Sequence, residues 1–575
     1  MDLVKAVQEY LDKILAETKG MKVLLLDTET TPIVSAVATQ SALLAKEAYL
    51  VDRVDNATRE RMKHLKCLCF VRPSAESIQA LVDELRSPRY GEYYLFFTNI
   101  LKKSTVERLA EVDEHEVVKE VKEYFADYLA IGPDLYSLNM YPQYGSLYGD
   151  TPHTWEPRAL HRALEGLSAV LLSLKKRPII RYQRTSALAK KLGDEVQYLI
   201  RQEPGLFDFR RTDTPPVLLI LDRRNDPVTP LLTQWTYQAM THEELEIRNG
   251  RVDLSSIPDI RPDQREVILS VDQDPFFART RLTNFGDLGA EVKAYVDRYK
   301  DHRTTSTTQI ETVADMKRFL EEYPEYRRLE GNVSKHVTVV SELQRRVQRG
   351  KLDQCSELEQ SLACNESHTS DLRNLKELLG NPGIGEMNKI RLVMIYALRY
   401  EKSTMNATRE LEDLLLAQGI SGRKVALIGD LLSLAGSDQR QDDLFQNDNI
   451  FSRGNRVLQG IKGVDNVFTQ HTPHLSQVLD QLIKGRLKET SYPFVEGTCK
   501  DRPQDIILFV VGGATYEEAR TVSLLSSSSP GVRMVFGGTT MHNSMSFLGS
   551  IQEAGDKFPN SAREASLARR AGRTM

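Results

Sequence analysis

Asp27 and Glu29, two carboxylates in KVLLLDTETT at the end of an apolar run, are the sharpest chemical signal in the chain. In that setting a DxE pair is how a metal-dependent exonuclease places two acids on its catalytic ions. Such an enzyme also needs further acids and a general base, usually a histidine followed five positions on by aspartate or a tyrosine followed four positions on by aspartate. None of the 11 histidines or 22 tyrosines has that partner. A strand end followed by a helix cap accounts for the motif more simply.

The remaining chemical candidates are weaker. LLILDRRNDPVTP places Asp222, Arg223 and Asp226 at a strand's C-terminal edge, where α/β enzymes keep their chemistry. There is no DxD spacing, and a turn held by carboxylate hydrogen bonds is the better reading. Gly512-Gly513 between a strand and a helix could cradle a phosphate but lacks the other glycines of a dinucleotide fingerprint. GxxxxGK[ST], HExxH and GxSxG do not occur. Cys67 and Cys69 sit two apart in a strand without a second ligand pair and read as core. No catalytic constellation is complete, so no cofactor and no metal are implied.

The elements that position these residues alternate strand and helix. KVLLLD predicts a buried strand, and Thr31-Pro32 then starts a helix through Leu44. KCLCFV, a helix over 74–86 and the aromatic strand EYYLFFT complete a parallel α/β layer. PVLLILD and DIILFVVGG, far apart in sequence, imply a second α/β layer. Between about 246 and 474 strand runs are sparse, and helical periodicity predicts a mostly helical insertion into that second layer.

Composition narrows the class further. The 575 residues exceed a single small module. With 76 Lys+Arg against 80 Asp+Glu, the formal charge of -4 creates no broad positive field, so nucleic acid is not the expected partner. Five scattered cysteines suggest a reduced, intracellular chain. No apolar run reaches the roughly 20 residues of a membrane-spanning helix, so any membrane address comes through a partner.

What remains distinctive is helical. Tyr326, Val333, Val340 and Val347 recur at seven-residue spacing, and Leu329, His336 and Leu343 repeat it three places later, a coiled-coil seam. Pro324 separates it from a preceding helical stripe and is expected to break or kink the path. The stripe suits either an intramolecular hairpin or a hairpin that lends a face to partner helices. After EYYLFFT, Ser104-x-x-Glu107 reads as a capping box opening a helix with Val106 and Leu109 on one face. A second helix over 116–128 then adds Val118 and Val121, and the pair could leave a groove or bury it.

ILDRRNDPVTPLLTQWTYQAMTHEELEI (residues 220–247) closely resembles the signature of the SM, or Sec/Munc-like, family of SNARE regulators. The DTETT segment, DPFFARTRLTNFGDLGAEVKAYVDRYK, YPEYRRLEGNVSKHV, NVFTQHTPHL and ILFVVGGATYEEAR resemble further family blocks in family order, over essentially the whole chain. The signature departs at Glu243 and Glu244, where a more apolar continuation is expected.

The resemblance implies an arch-shaped, three-domain SM fold: two parallel-sheet α/β domains, with a mostly helical domain inserted in the second. Its domains fall at 1–131, at 132–245 with 474–575, and at 246–473. It implies a non-enzymatic monomer without cofactor that clasps a syntaxin-type SNARE by its N-terminal peptide and helical core. With vesicle SNAREs it would promote complex assembly in docking and fusion, peripherally on trans-Golgi and endosomal membranes. The peptide pocket would fall on Val106, Leu109, Val118 and Val121 with Glu123 at its edge. The SNARE-templating hairpin would fall on about 303–350, including Pro324 and the seam residues. A helical tether that bridges membranes without templating is the alternative of a different class.

Overall fold

The computed structural model describes the chain apart from residues 211, 259, 309–312, 365–366, 446–466, 500 and 560–575, and apart from the side chains of 263 and 299–330. The chain forms two compact units. Met1–Asp222, Leu479–Ala514 and Leu525–Met541 build the first; Arg223–Val478, Thr515–Leu524 and the described residues from His542 onward build the second.

In the first unit, α1 (Leu3–Ala16) is capped by Asp2, whose carboxylate accepts from Lys5 N. There follow β1 (Lys22–Leu26), α2 (Thr30–Val37), α3 (Gln40–Ala45), β2 (Ala48–Arg53), β3 (Met62–Val71), α4 (Ala75–Arg86), β4 (Tyr90–Phe97), α5 (Lys103–Val112) and β5 (Val118–Glu123). The five strands form a parallel sheet in the order β2-β1-β3-β4-β5. β1 is buried along its whole length, as expected of a strand covered on both faces.

The second sheet uses β6 (Leu129–Gly132), β7 (Leu135–Ser137), β8 (Ile179–Tyr182) and β9 (Val217–Asp222), with Asp505–Val511 and Arg533–Gly538 from far downstream. The order is β6, β7, Arg533–Gly538, Asp505–Val511, β9, β8. Ile506 lies opposite Val217 and Met534, so the central strand comes from the distant segment. Helices α6 (Pro157–Ser173) and α7 (Ala187–Gln202) flank it. One hydrophobic core runs from Leu3 and Val7 of α1 through Leu24 and Phe96 to Leu171, Ile220 and Phe509.

The second unit contains α8 (Tyr237–Leu245), α9 (Pro275–Thr280), α10 (Phe285–Thr308), α11 (Val313–Gly350), α12 (Leu352–Cys364), α13 (His368–Gly380), α14 (Glu386–Arg399), α15 (Thr408–Ala417) and α16 (Gly422–Ala435). A short antiparallel pair, Arg251–Asp253 with Glu266–Ile268, interrupts them. Among the described residues no helix is long and apolar enough to cross a membrane.

Four sequence expectations are corrected. The helix expected from Thr31 to Leu44 is two helices, because Ala38 is extended and the Thr39 hydroxyl caps the second by accepting from Ala42 N. Thr31 is not its cap. Ser104 opens no capping box: α5 begins at Lys103 and makes no side-chain cap bond. The stretch after it is the edge strand β5, not a helix. Its valine spacing fits a helix, but β-branched side chains and an available partner in β4 favour the strand, and the Asp113 carboxylate sets its start by accepting from Val117 N and Val118 N. Finally, α11 runs through Pro324 without a break; α10 packs along α11, and a proline removes one helix bond without dictating an end.

Candidate functional site

The residues expected to line a peptide pocket lie on α5 (Val106, Leu109) and β5 (Val118, Val121, Glu123). Strand alternation alone would send Val118 and Val121, three apart, to opposite faces. A register shift opposite Tyr93 and Tyr94 intervenes: Tyr93 pairs with Val118, but Leu95 pairs with Val121 and Phe97 with Glu123. Tyr93, Leu95 and Phe97 all point into the core beneath α4 and α5. The bulge therefore returns Val118, Val121 and Glu123 to the α5 face.

The five residues are not equivalent there. Leu109 is buried in that core and Val118 packs against it. Val106 and Val121 remain 39% and 40% exposed, apolar side chains left on the surface. The Glu123 carboxylate accepts from Leu101 N at 2.6 Å, fixing the chain that leads into α5. Of the five residues, then, Leu109 and Val118 belong to the core, and Val106 and Val121 stay on the surface.

The second expected site, the α10–α11 hairpin, is placed differently. Val333, His336 and Leu343 are buried and Val340 and Val347 partly so, which makes this part of the seam internal packing. His336 shows why. Its Nε2 lies 2.8 Å from Asp274 Oδ2 and its Nδ1 2.8 Å from the Tyr237 hydroxyl, tying α11 to the N-cap of α9 and the first residue of α8. Burial holds the His336 pKa below its ordinary value although Asp274 opposes it. The side chains of Pro324, Tyr326 and Leu329 lie outside the described residues.

The acids that suggested catalysis are structural. Asp27 Oδ1 accepts from Thr30 N at 2.7 Å and Thr30 Oγ1 at 2.8 Å; Oδ2 accepts from Arg72 N at 2.6 Å and Ser77 Oγ at 2.8 Å. This one carboxylate joins the ends of β1 and β3 to the starts of α2 and α4. Burial raises the Glu29 pKa, with Asp27 adding to it, and its carboxylate faces Arg72 at 3.7 Å. Asp226 accepts from Thr229 N and Oγ1, closing the turn of the signature segment; burial opposes its ionisation, but Arg223 and His471 bring it down to about 2. Arg223 in turn grips Glu518 with two bonds of 2.7 and 2.8 Å. Among the described residues no group of three or more His, Cys, Asp and Glu is placed to hold a metal ion.

One feature of the second unit escaped sequence reasoning. Arg391, buried in α14, donates to Leu231 O, Thr233 Oγ1, Glu243 and Glu359. Its one local partner is Asn388 Oδ1 at 3.2 Å, and the only available signal was an arginine inside the apolar run of α14, KIRLVMIYAL.

This architecture is that of the SM proteins. The Sec1 family profile matches residues 22–550, and the chain belongs to that family of SNARE regulators. It is 48% identical over 570 residues to vacuolar protein sorting-associated protein 45 of Mus musculus, covering 99% of each chain. It is 47% identical to the Schizosaccharomyces pombe protein of the same name, covering 96% of this chain and 99% of that one. Among solved structures, the SM protein Vps45 in complex with the Qa SNARE Tlg2 superposes with a TM-score of 0.91 at 54% identity, over 97% of this chain and 99% of that one.

Proposed function

We propose that this chain is a non-enzymatic binding protein for a syntaxin-type Qa SNARE. The observation that carries this reading is its near full-length likeness to an SM protein solved with a Qa SNARE. The α5–β5 groove receives the SNARE's N-terminal peptide: Val106 and Val121 supply exposed apolar contact over the floor of Leu109 and Val118, and Glu123 closes one end. The α10–α11 hairpin offers its free faces to the helical core of the Qa SNARE and to vesicle SNAREs. Holding two amphipathic helices in register lowers the entropic cost of starting a four-helix bundle, so surface suffices and no turnover or cofactor is required.

In this reading the peptide site belongs to a domain of about residues 1–131 and the hairpin to a helical domain of about 246–473. The protein acts as a monomer, held on trans-Golgi and endosomal membranes by its partners. The test is a pull-down with a panel of syntaxin-type cytoplasmic domains, each with and without roughly its first ten residues. One family member should be retained strongly, and more weakly once truncated. Retention of none would remove the reading.

A further inference from the structure

Glu243 and Glu244 lie in the last turn of α8, at the point where the sequence departs from the family signature, and their carboxylates meet different surroundings. Glu243 is fully engaged: Oε1 lies 3.0 Å from Arg391 Nη1, Oε2 accepts from Ser544 N at 2.9 Å, and the Ser544 hydroxyl donates to Oε1. Glu244 is partly buried, and its carboxylate accepts no hydrogen bond among the described residues.

The cations around it are already committed. Arg346 of α11 donates through Nη1 to the main-chain carbonyl of Glu244 and through Nε to Glu342 Oε1 at 2.9 Å. Arg345 holds Glu342 with two bonds of 2.7 Å. Arg391 of α14 is shared between Glu243 and Glu359 of α12, the latter at 3.0 Å. His242 is occupied elsewhere, accepting from Ile247 N and meeting the Tyr516 ring edge-on. Four carboxylates thus share three guanidinium groups, and Glu244 has the additional disadvantage of sitting at the negative end of a helix.

We propose that Glu244 is a proton-linked contact between α8 and the root of α11: protonated, it packs there as a neutral group, and ionised, it repels Glu243 and Glu342 and loosens the seat of the helix. Burial, with Glu243 second, pushes its carboxyl up to about 7, against the pull of Arg391 and Arg346. Because the folded value lies above the unfolded one, the folded state binds the extra proton. Stability is therefore highest below the ordinary glutamate range and is lost as pH rises to about 7, above which the curve is flat. This device needs only α8 and α11, so it stands or falls independently of the SNARE-binding reading.

The test is urea unfolding of the full chain from pH 5 to pH 8, beside Glu244→Gln and Glu244→Ala. Other carboxylates titrate in this window, so the difference between wild type and variant is what reports on Glu244. The variants should match wild type at pH 5 apart from a constant offset, and the wild-type folding constant should fall by roughly tenfold or more relative to theirs by pH 7.5. Hydrogen exchange over residues 336–350, corrected for intrinsic rates, should lose protection with pH in wild type and not in Glu244→Gln. Unfolding curves that keep a constant offset at every pH, or protection that changes equally in both proteins, would overturn the proposal.

Discussion

Val121→Arg tests the groove most directly, because the structure separates its effect on binding from any effect on folding. Val121 is 40% exposed on an edge strand, and Val106 of α5 is 39% exposed. The surface left for a partner to cover is about 60 Å² on each valine, worth about 1.5 kcal/mol or a tenfold change in affinity. An arginine there also leaves a charge to be desolvated or displaced by the peptide, so the expected loss is ten- to several-hundredfold. The fold should be indifferent, within about 0.5 kcal/mol, because the replaced side chain is not core. Leu109→Ala makes the contrasting control: at 4% exposure it is floor as well as groove, and its truncation should cost about 2–5 kcal/mol of stability. Calorimetry with an isolated syntaxin-type N-terminal peptide, run beside a melting curve, reads both quantities. Unchanged affinity in Val121→Arg with wild-type melting would refute the assignment of this groove.

Asp27→Ala should cost roughly 3 kcal/mol, since four donors lose a shared acceptor, while SNARE binding is unchanged and neither protein degrades DNA or RNA with magnesium or manganese; magnesium-dependent nuclease activity in wild type alone would reverse that account. Arg391→Leu should destabilise the chain by about 3–5 kcal/mol in urea unfolding, because it strands Glu359 and Glu243 without their cation; a change under 1 kcal/mol would show the network to be dispensable. Pro324→Ala should raise thermal stability, as a proline inside a helix costs about 3 kcal/mol relative to alanine, and it should tighten binding of a vesicle SNARE. A higher melting temperature with unchanged SNARE affinity would take the templating role away from the hairpin.

The buried strands were readable because a run such as KVLLLD admits little else, and both sheets follow from them. Val118 and Val121 illustrate what was not. Their spacing of three is a helical signature, and only the register against β4 reveals a strand whose bulge yields the same facing by another route. Val118, Val121 and Glu123 therefore share a face of the sheet although the element expected to carry them, a helix, is a strand. The heptad seam left two readings open, a hairpin packed on its own chain and a face for partner helices. Periodicity reports that a helix has an apolar face, and His336 buried between Asp274 and Tyr237 shows that part of that face is turned to its own chain. Arg391 illustrates a third limit, since apart from Asn388 its partners lie on α8, α12 and the signature loop, and no local spacing announces those.

The edge position of β5 constrains what could bind there. An uncovered edge strand invites pairing with other chains, and proteins guard such edges with charge and bulges. β5 has both: Lys119, Glu120, Lys122 and Glu123 surround its valines, and the register shift distorts the start of the strand. Lys122 is further tied down between Glu17 and Glu120, which keeps the opposite face closed against α1. The strand is thereby poorly suited to sheet extension, yet its α5 face still carries the exposed Val121, and α5 carries the exposed Val106. A partner that binds here must present apolar side chains to that face rather than a backbone to the edge, which is the demand a short amphipathic peptide meets and a free strand does not.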